Sequence, residues 1–140
     1  MKNLIPCIFI LILFLSSCRI PDQPENTLHL NEDLSLDFNE KLEHHQLSIS
    51  ISFDSLLSDS RCPIGAMCVW AGNAELLFTL RENNCTHKLN LNTNPHSQQD
   101  TTTNAYRVKL IDVQPYPHVD STFSENDYTA LIRINRQEPQ

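Results

Sequence analysis

LSISISF, residues 47–53, alternates apolar and serine side chains without interruption. A period of two places the apolar side chains on one face of a β-strand and the serines on the other. The stretch therefore predicts a strand with one buried face and one face in water. The same alternation recurs in five further segments, namely Leu34–Phe38, Ala74–Leu80, Leu89–Leu91, Tyr106–Leu110 and Tyr128–Ile134. No segment shows a sustained helical period, so the sequence predicts an all-β domain with at least six strands.

Turn residues separate these segments. Asn83 and Asn84 predict a tight hairpin, because asparagine tolerates the left-handed backbone that such a turn needs. Pro115 should end the strand before it, since proline has no amide proton to donate to a sheet. Residues 92–104 are polar and are predicted to form one long loop. Short strands joined by polar turns predict a single small antiparallel β-sandwich or barrel.

The N-terminus carries an uncharged run of 12 residues at 4–15, mostly Ile, Leu and Phe, after a single Lys2. A helix needs about 20 apolar residues to span a bilayer, whereas a secretory signal has a core of about 7 to 15. The run ends in Leu15-Ser16-Ser17-Cys18, the order of branched residue, two small residues and cysteine that lipoprotein signal peptidase requires. We predict that residues 1–17 are a signal peptide and that Cys18 carries lipid. A short membrane anchor with an incidental cysteine is the alternative.

Lipid on Cys18 would anchor the chain in a membrane of the cell envelope, because two or three acyl chains hold a protein firmly. Residues 18–27 are polar, contain two prolines and predict a tether, which spans up to about 30 Å. The predicted β domain follows at residues 28–140. Arg19 stands where an inner-membrane retention signal would usually place aspartate, so the outer membrane is favoured over the inner.

The charge of the chain is acidic, with 10 Lys and Arg against 17 Asp and Glu and a net charge of −7. Loss of the predicted signal peptide removes Lys2 and makes the net charge −8. An acidic surface disfavours nucleic acid as a partner and adds no attraction to anionic lipid beyond the acyl chains. The expected partners are the membrane, through the lipid, and an unknown protein, peptide or glycan of the envelope.

Three cysteines remain in the predicted mature chain, because Cys7 leaves with the signal peptide and Cys18 takes lipid. Outside the cytoplasm thiols oxidise, so Cys62 and Cys68, which lie close in sequence, predict a disulfide. Cys85 is left over at the predicted hairpin. It is a free thiol, a link to a second chain, or a competitor for one of the other two cysteines.

Residues 59–74, DSRCPIGAMCVWAGNA, contain the paired cysteines, the only tryptophan and both glycines of the chain. Pro63 supplies a fixed backbone angle and Gly65 a free one, and both suit a short loop closed by a disulfide. Trp70 is expected to pack its ring over the disulfide or the core, as large aromatic side chains do in small β domains.

Two roles are open for this loop. It stabilises the fold as a covalent staple, or it presents apolar side chains to a partner from a rigid tip. In the second case the tip would present Ile64, Ala66 and Met67, and Trp70 completes the candidate binding loop.

The pattern DSRCP, a short gap and CVWAGNA, after an alternating strand that ends in Phe, resembles a group of small bacterial secreted lipoproteins of unknown function. The similarity is strong from about Leu47 to Leu80 and weaker in the later strands. The resemblance implies a lipid-anchored β domain in which Cys62 and Cys68 are bridged, and it implies no activity. Cys85 is not expected to belong to the shared pattern.

No pattern of catalytic residues stands out. The sequence has no GxSxG, no HExxH and no phosphate-binding loop, so neither an enzymatic activity nor a cofactor is expected. The adjacent His44 and His45 would point to opposite faces of a strand and cannot chelate one ion together. No metal site is predicted from the histidines alone.

Two functions follow from these observations. The first is a noncatalytic binding or structural module of the cell envelope, held by Cys18, of which an inhibitor of an extracellular hydrolase is one form. The alternative is an envelope metal-binding or thiol-redox protein that uses Cys62, Cys68 and Cys85.

Overall fold

The computed structural model describes residues 26–138. The stretch at residues 47–53, in which apolar and serine side chains alternate, overlaps the start of the longest strand. The strands of this part of the chain are β1 (Asp33–Asp37), β2 (Lys41–Glu43), β3 (Ile49–Asp59), β4 (Ala74–Glu82), β5 (Cys85–Asn92), β6 (Asp100–Thr102), β7 (Tyr106–Gln114) and β8 (Thr129–Arg136). A 3-10 helix, Glu125–Asp127, precedes β8. The predicted signal peptide, Cys18 and most of the predicted tether lie outside the described residues.

The strands form two antiparallel four-stranded sheets, in the orders β2-β3-β4-β5 and β1-β8-β7-β6. Their inner faces pack against each other, and the sheets remain open at their edges. The predicted all-β antiparallel fold is therefore confirmed, as a sandwich and not as a closed barrel. Among residues 26–138 no helix has the length and apolarity that crossing a bilayer would require.

The core follows the alternation that the sequence shows. Ile49, Ile51 and Phe53 of β3 are buried between the sheets. Phe53 packs edge-on against Phe38, with ring centroids 5.6 Å apart, and in a tilted arrangement against Phe78, with centroids 5.3 Å apart. Complete burial of such a side chain contributes about 1.5–3 kcal/mol.

Two of the three turn predictions are confirmed. Asn83 has a left-handed φ of 53° in the tight turn between β4 and β5. Strand β7 ends at Gln114, and the Gln114–Pro115 peptide bond is cis. The prediction of one long loop at residues 92–104 is wrong, because β6 lies inside it and pairs with β7. This edge strand buries little of its polar surface, so it has no apolar alternation by which the sequence would reveal it.

The sandwich has two distinct ends, which we call the entry end and the loop end. The described chain begins at the entry end, where the amide of Leu28 donates to the carbonyl of Glu43 (2.9 Å) beside the start of β3. The loop end includes residues 60–73, which follow β3, residues 93–99, which follow β5, and residues 115–127, which follow β7. Strand β3 runs from one end to the other, a length of about 30 Å.

Candidate functional site

The candidate site is the loop at residues 60–73, which connects β3 and β4 at the loop end. A disulfide joins Cys62 to Cys68, whose Cα atoms are 5.9 Å apart, and this confirms the predicted bridge. In the chain-entropy description, closing so short a segment stabilises the fold by about 2–3 kcal/mol. The tip of the loop is therefore fixed covalently.

Arg61, directly before the disulfide, fixes the base of the loop. Its guanidinium donates to both carboxylate oxygens of Asp59, from Nε at 2.9 Å and from Nη2 at 2.7 Å. It also donates to the carbonyls of Val113 (2.5 Å) and Pro115 (2.8 Å) at the end of β7, and it lies 4.7 Å from the ring centre of Tyr116. We call this set the Arg61 cluster. It connects the two sheets where each of them ends.

The charged pair at the centre of the Arg61 cluster is almost completely removed from solvent. The side chains of Arg61 and Asp59 are 4% and 8% exposed. Tyr128 donates its hydroxyl to Asp59 at 3.3 Å, and Phe123 packs edge-on against the Tyr128 ring. Burial, and then the negative charge of Asp59, raise the pKa of Tyr128 above its usual value. The tyrosine therefore remains a neutral hydrogen-bond donor.

The sequence assigned no role to Arg61. Its charge pointed to an exposed position, and its carbonyl partners lie more than 50 positions further along the chain. A signal was present in the spacing Asp59-Ser60-Arg61, because residues two apart on an extended chain project to the same side.

Backbone contacts hold the tip of the loop against the segment after β7. The amide of Ile64 donates to the carbonyl of Pro117 at 2.8 Å, and the amide of Val119 donates to the carbonyl of Ile64 at 3.1 Å. Gly65 has a φ of +91°, and a Cβ at this position would come within 2.9 Å of a Val119 methyl group. The tip is thus braced by a second, distant segment of the chain.

The two legs of the loop are paired with each other. The amide of Ser60 donates to the carbonyl of Asn73 at 2.7 Å, and the amide of Cys62 donates to the carbonyl of Ala71 at 3.2 Å. Asn94 donates from its side chain to the carbonyl of Gly72 at 3.0 Å. The return leg is therefore ordered by hydrogen bonds as well as by the disulfide.

Large apolar side chains project from this braced loop into solvent. Met67 is 102% exposed, Val69 90% and Trp70 78%. Ile64 and the neighbouring Val119 are each more than half exposed. We call these five residues the apolar loop surface. Ala66, the remaining apolar residue proposed for the tip, is also exposed.

The expectation that Trp70 packs into the core is wrong, because its side chain is 78% exposed. Contact between its ring and the disulfide stays a prediction. The structure places Ile64, Met67 and Trp70 on one loop, as the sequence predicted. Val69 and Val119 were not predicted to belong to this surface. Val119 is distant from the loop in sequence, and only the fold brings it there.

The third cysteine lies far from the other two. Cys85 is free and exposed in the first position of β5, at the entry end. Strand β4 separates this turn from the loop end by about 25 Å. The three cysteines of the metal or redox alternative are therefore not brought together. Residues 26–138 contain no group of three or more His, Cys, Asp or Glu side chains placed to hold a metal ion.

A second polar surface lies on the outer face of the sheet β2-β3-β4-β5. Here a cavity of about 370 Å³ has Lys41, Asp54, Thr79, Arg81 and Lys88 in its lining. Burial raises the pKa of Asp54, but hydrogen bonds from Lys88, Thr79 and Ser52 lower it, and the net pKa lies below the usual value. Lys88 is paired with Asp54 and Lys41 with Glu43. Two of the three cations at this surface are thus neutralised by the protein itself.

The chain matches no protein-family model, no curated protein and no solved structure at a significant level.

Proposed function

We propose that this protein is a lipid-anchored, noncatalytic binding module of the cell envelope that recognises a protein partner through the apolar loop surface. The observation that carries the proposal is the nearly complete exposure of Met67, Val69 and Trp70 on one braced loop. Single exposed apolar side chains are common on soluble proteins, whereas a cluster of large ones marks an interaction surface.

The composition and rigidity of the loop both favour binding. Tryptophan and methionine are enriched at protein interfaces, and tryptophan is frequent among the residues that contribute most to affinity. The disulfide and the contacts of Ile64 with residues 117–119 already fix the tip. Because the loop is preorganised, little conformational entropy remains to be lost when a partner binds.

The end of the sandwich at which the described chain begins supports an orientation in which the apolar loop surface points away from the membrane. If Cys18 carries lipid, residues 19–25 connect the bilayer to the entry end and span at most about 25 Å. The sandwich itself is about 30 Å long. The apolar loop surface lies at the opposite end, so the partner is met on the side that faces away from the anchoring membrane.

Trp70 provides a test of this orientation, because it is the only tryptophan of the chain. In the lipidated protein on phosphatidylcholine vesicles with dansyl-labelled headgroups, energy transfer from Trp70 should be weak. A control protein that combines Trp70→Phe with Glu32→Trp places the donor at the entry end and should transfer energy more strongly. Equal transfer from the two positions, or a blue shift of Trp70 emission on vesicles, would contradict the orientation.

A photocrosslinking residue in place of Met67 tests the binding role in the native host. Ultraviolet light is expected to give a covalent adduct with one dominant envelope protein. A second change, Val69→Asp, should reduce that adduct about tenfold, since a desolvated charge opposes an apolar contact. The Val69→Asp protein should keep its free energy of unfolding within about 0.5 kcal/mol, because the side chain is exposed.

The same crosslinker in place of Glu32 serves as the matched control at the entry end. It should not give the adduct. An adduct that forms equally from both positions, or that survives Val69→Asp, would refute the proposed role of the loop. If Val69→Asp unfolds the protein instead, the loop acts as a staple for the fold.

A further inference from the structure

The cations of the described chain are distributed unevenly. Residues 26–138 contain eight Lys and Arg, and all but one of them are exposed side chains on strands, namely Lys41, Arg81, Lys88, Arg107, Lys109, Arg133 and Arg136. The remaining one, Arg61, is at the loop end, where it is buried against Asp59. The loop end therefore exposes no Lys or Arg side chain among the residues that the structure describes.

Acidic side chains are exposed at the loop end, which also carries the apolar loop surface. Asp120 directly follows Val119, and its side chain is 85% exposed. Glu125 and Asp127 are exposed on the 3-10 helix, next to the Phe123 and Tyr128 pair at the same end. The backbone amide of Ser124 donates to Asp127 and lowers the pKa of that carboxyl, which keeps it ionised. The loop end thus exposes acidic side chains and no Lys or Arg among the described residues. The side-chain partner of Asp120 there is His118, whose Nδ1 lies 3.9 Å from the carboxylate.

We propose that the partner is a protein whose binding cleft has an apolar floor and a border of Lys and Arg side chains. This inference rests on the proposed function and specifies the partner of the same surface. The projecting side chains of Met67, Val69 and Trp70 fit a concave apolar cleft, since they stand out from the loop. Cations across the interface would complement Asp120 and Glu125, whereas an acidic border would repel them.

The charge pattern has a kinetic consequence. Opposite charges at the border of an interface mainly raise the rate of association, whereas contacts in the apolar centre mainly set the rate of dissociation. Border charges exposed to solvent are also screened by salt. Association at this loop should therefore be fast at low ionic strength and slow at high ionic strength.

Random 12-residue peptides displayed on phage provide a probe that does not require the natural partner. The bait is the full mature lipidated protein in a nonionic detergent. Peptides that bind are expected to combine large apolar residues with an excess of Lys and Arg. For a synthesised peptide from this set, Asp120→Lys with Glu125→Lys should lower the association rate constant about tenfold and change the dissociation rate constant less than twofold.

The matched control reverses two charges at the entry end, Glu32→Lys with Glu138→Lys, and changes the net charge by the same amount. It should alter both rate constants less than twofold. An equal effect of the two double variants would mean that only the overall acidity of the protein selects basic peptides, which overturns the inference.

The peptides also separate failure of this inference from failure of the proposed function. Peptides that lose binding on Val69→Asp but carry no basic excess would leave the loop as the binding surface and refute the basic border. Peptides whose binding is unchanged by Val69→Asp would refute both the loop as a binding surface and the partner assigned to it.

Discussion

Replacing Arg61 by alanine is expected to destabilise the protein by about 3–5 kcal/mol, because it leaves the carboxylate of Asp59 buried without its cation. The same change removes the donors to the carbonyls of Val113 and Pro115 and the contact with the Tyr116 ring. Both the charge and the connection between the sheets are lost. Urea unfolding of the protein without lipid, starting at Arg19, measures the change in free energy.

The exposed pair Arg133–Asp33 provides the matched control. Its side chains are 45% and 38% exposed, and Nε donates to the carboxylate at 2.7 Å. Because water solvates both groups, Arg133→Ala should cost much less than Arg61→Ala. Arg61→Lys should fall between the two alanine variants, since lysine keeps the charge but not the planar fork of donors. Equal costs for Arg61→Ala and Arg133→Ala would show that the Arg61 cluster does not hold the loop end together.

Gly72→Ala is expected to destabilise the protein by about 3 kcal/mol or more, because a left-handed φ and a backbone clash act together. Gly72 has a φ of +72°. An ideal Cβ at this position would lie 1.8 Å from the carbonyl oxygen of Ser60 and 2.8 Å from the Cα of Arg61. To admit a methyl group, the two legs of the loop would have to separate and the hydrogen bonds between them would break.

Gly65→Ala separates the cost of a left-handed backbone from the cost of a backbone clash in the same loop. Its φ is also left-handed, but its Cβ would meet only the side chain of Val119. That side chain is more than half exposed and can move, so the cost should be about 1–2 kcal/mol. The two variants are compared by their midpoints in urea. A Gly72→Ala protein as stable as Gly65→Ala would mean that the return leg is not fixed against Ser60.

The sequence predicted those parts of the fold in which a local pattern controls the outcome. Alternation identified β3, because one of its faces must be buried and the other remains near water. Asn83 and Pro115 marked ends of strands through their own backbone preferences. Strand β6 was not predicted, because a polar edge strand is specified by pairing with its neighbour β7 and not by its own composition.

The sequence predicted where in the chain the candidate site lies, but not the contacts that hold it in place. The short spacing of Cys62 and Cys68 predicted their bridge on the expectation that the chain lies outside the cytoplasm, where thiols oxidise, and the structure contains this disulfide. The burial of Arg61 could not be read from residues 59–74, because the carbonyls of Val113 and Pro115 that accept from it lie at the end of β7 in the other sheet. Contacts between segments far apart in sequence leave no period or spacing to recognise.

The two legs of the loop are held together by main-chain contacts that do not involve the side chains at its tip. Ser60 is joined to Asn73 and Cys62 to Ala71, so the base of the loop is held by main-chain atoms of residues outside the tip. Met67 and Val69, whose side chains face solvent, contribute nothing to the core. Such a scaffold can exchange these tip side chains while its sandwich is unchanged. If the loop binds a partner as proposed, substitutions at these tip positions would change the partner at little cost to folding.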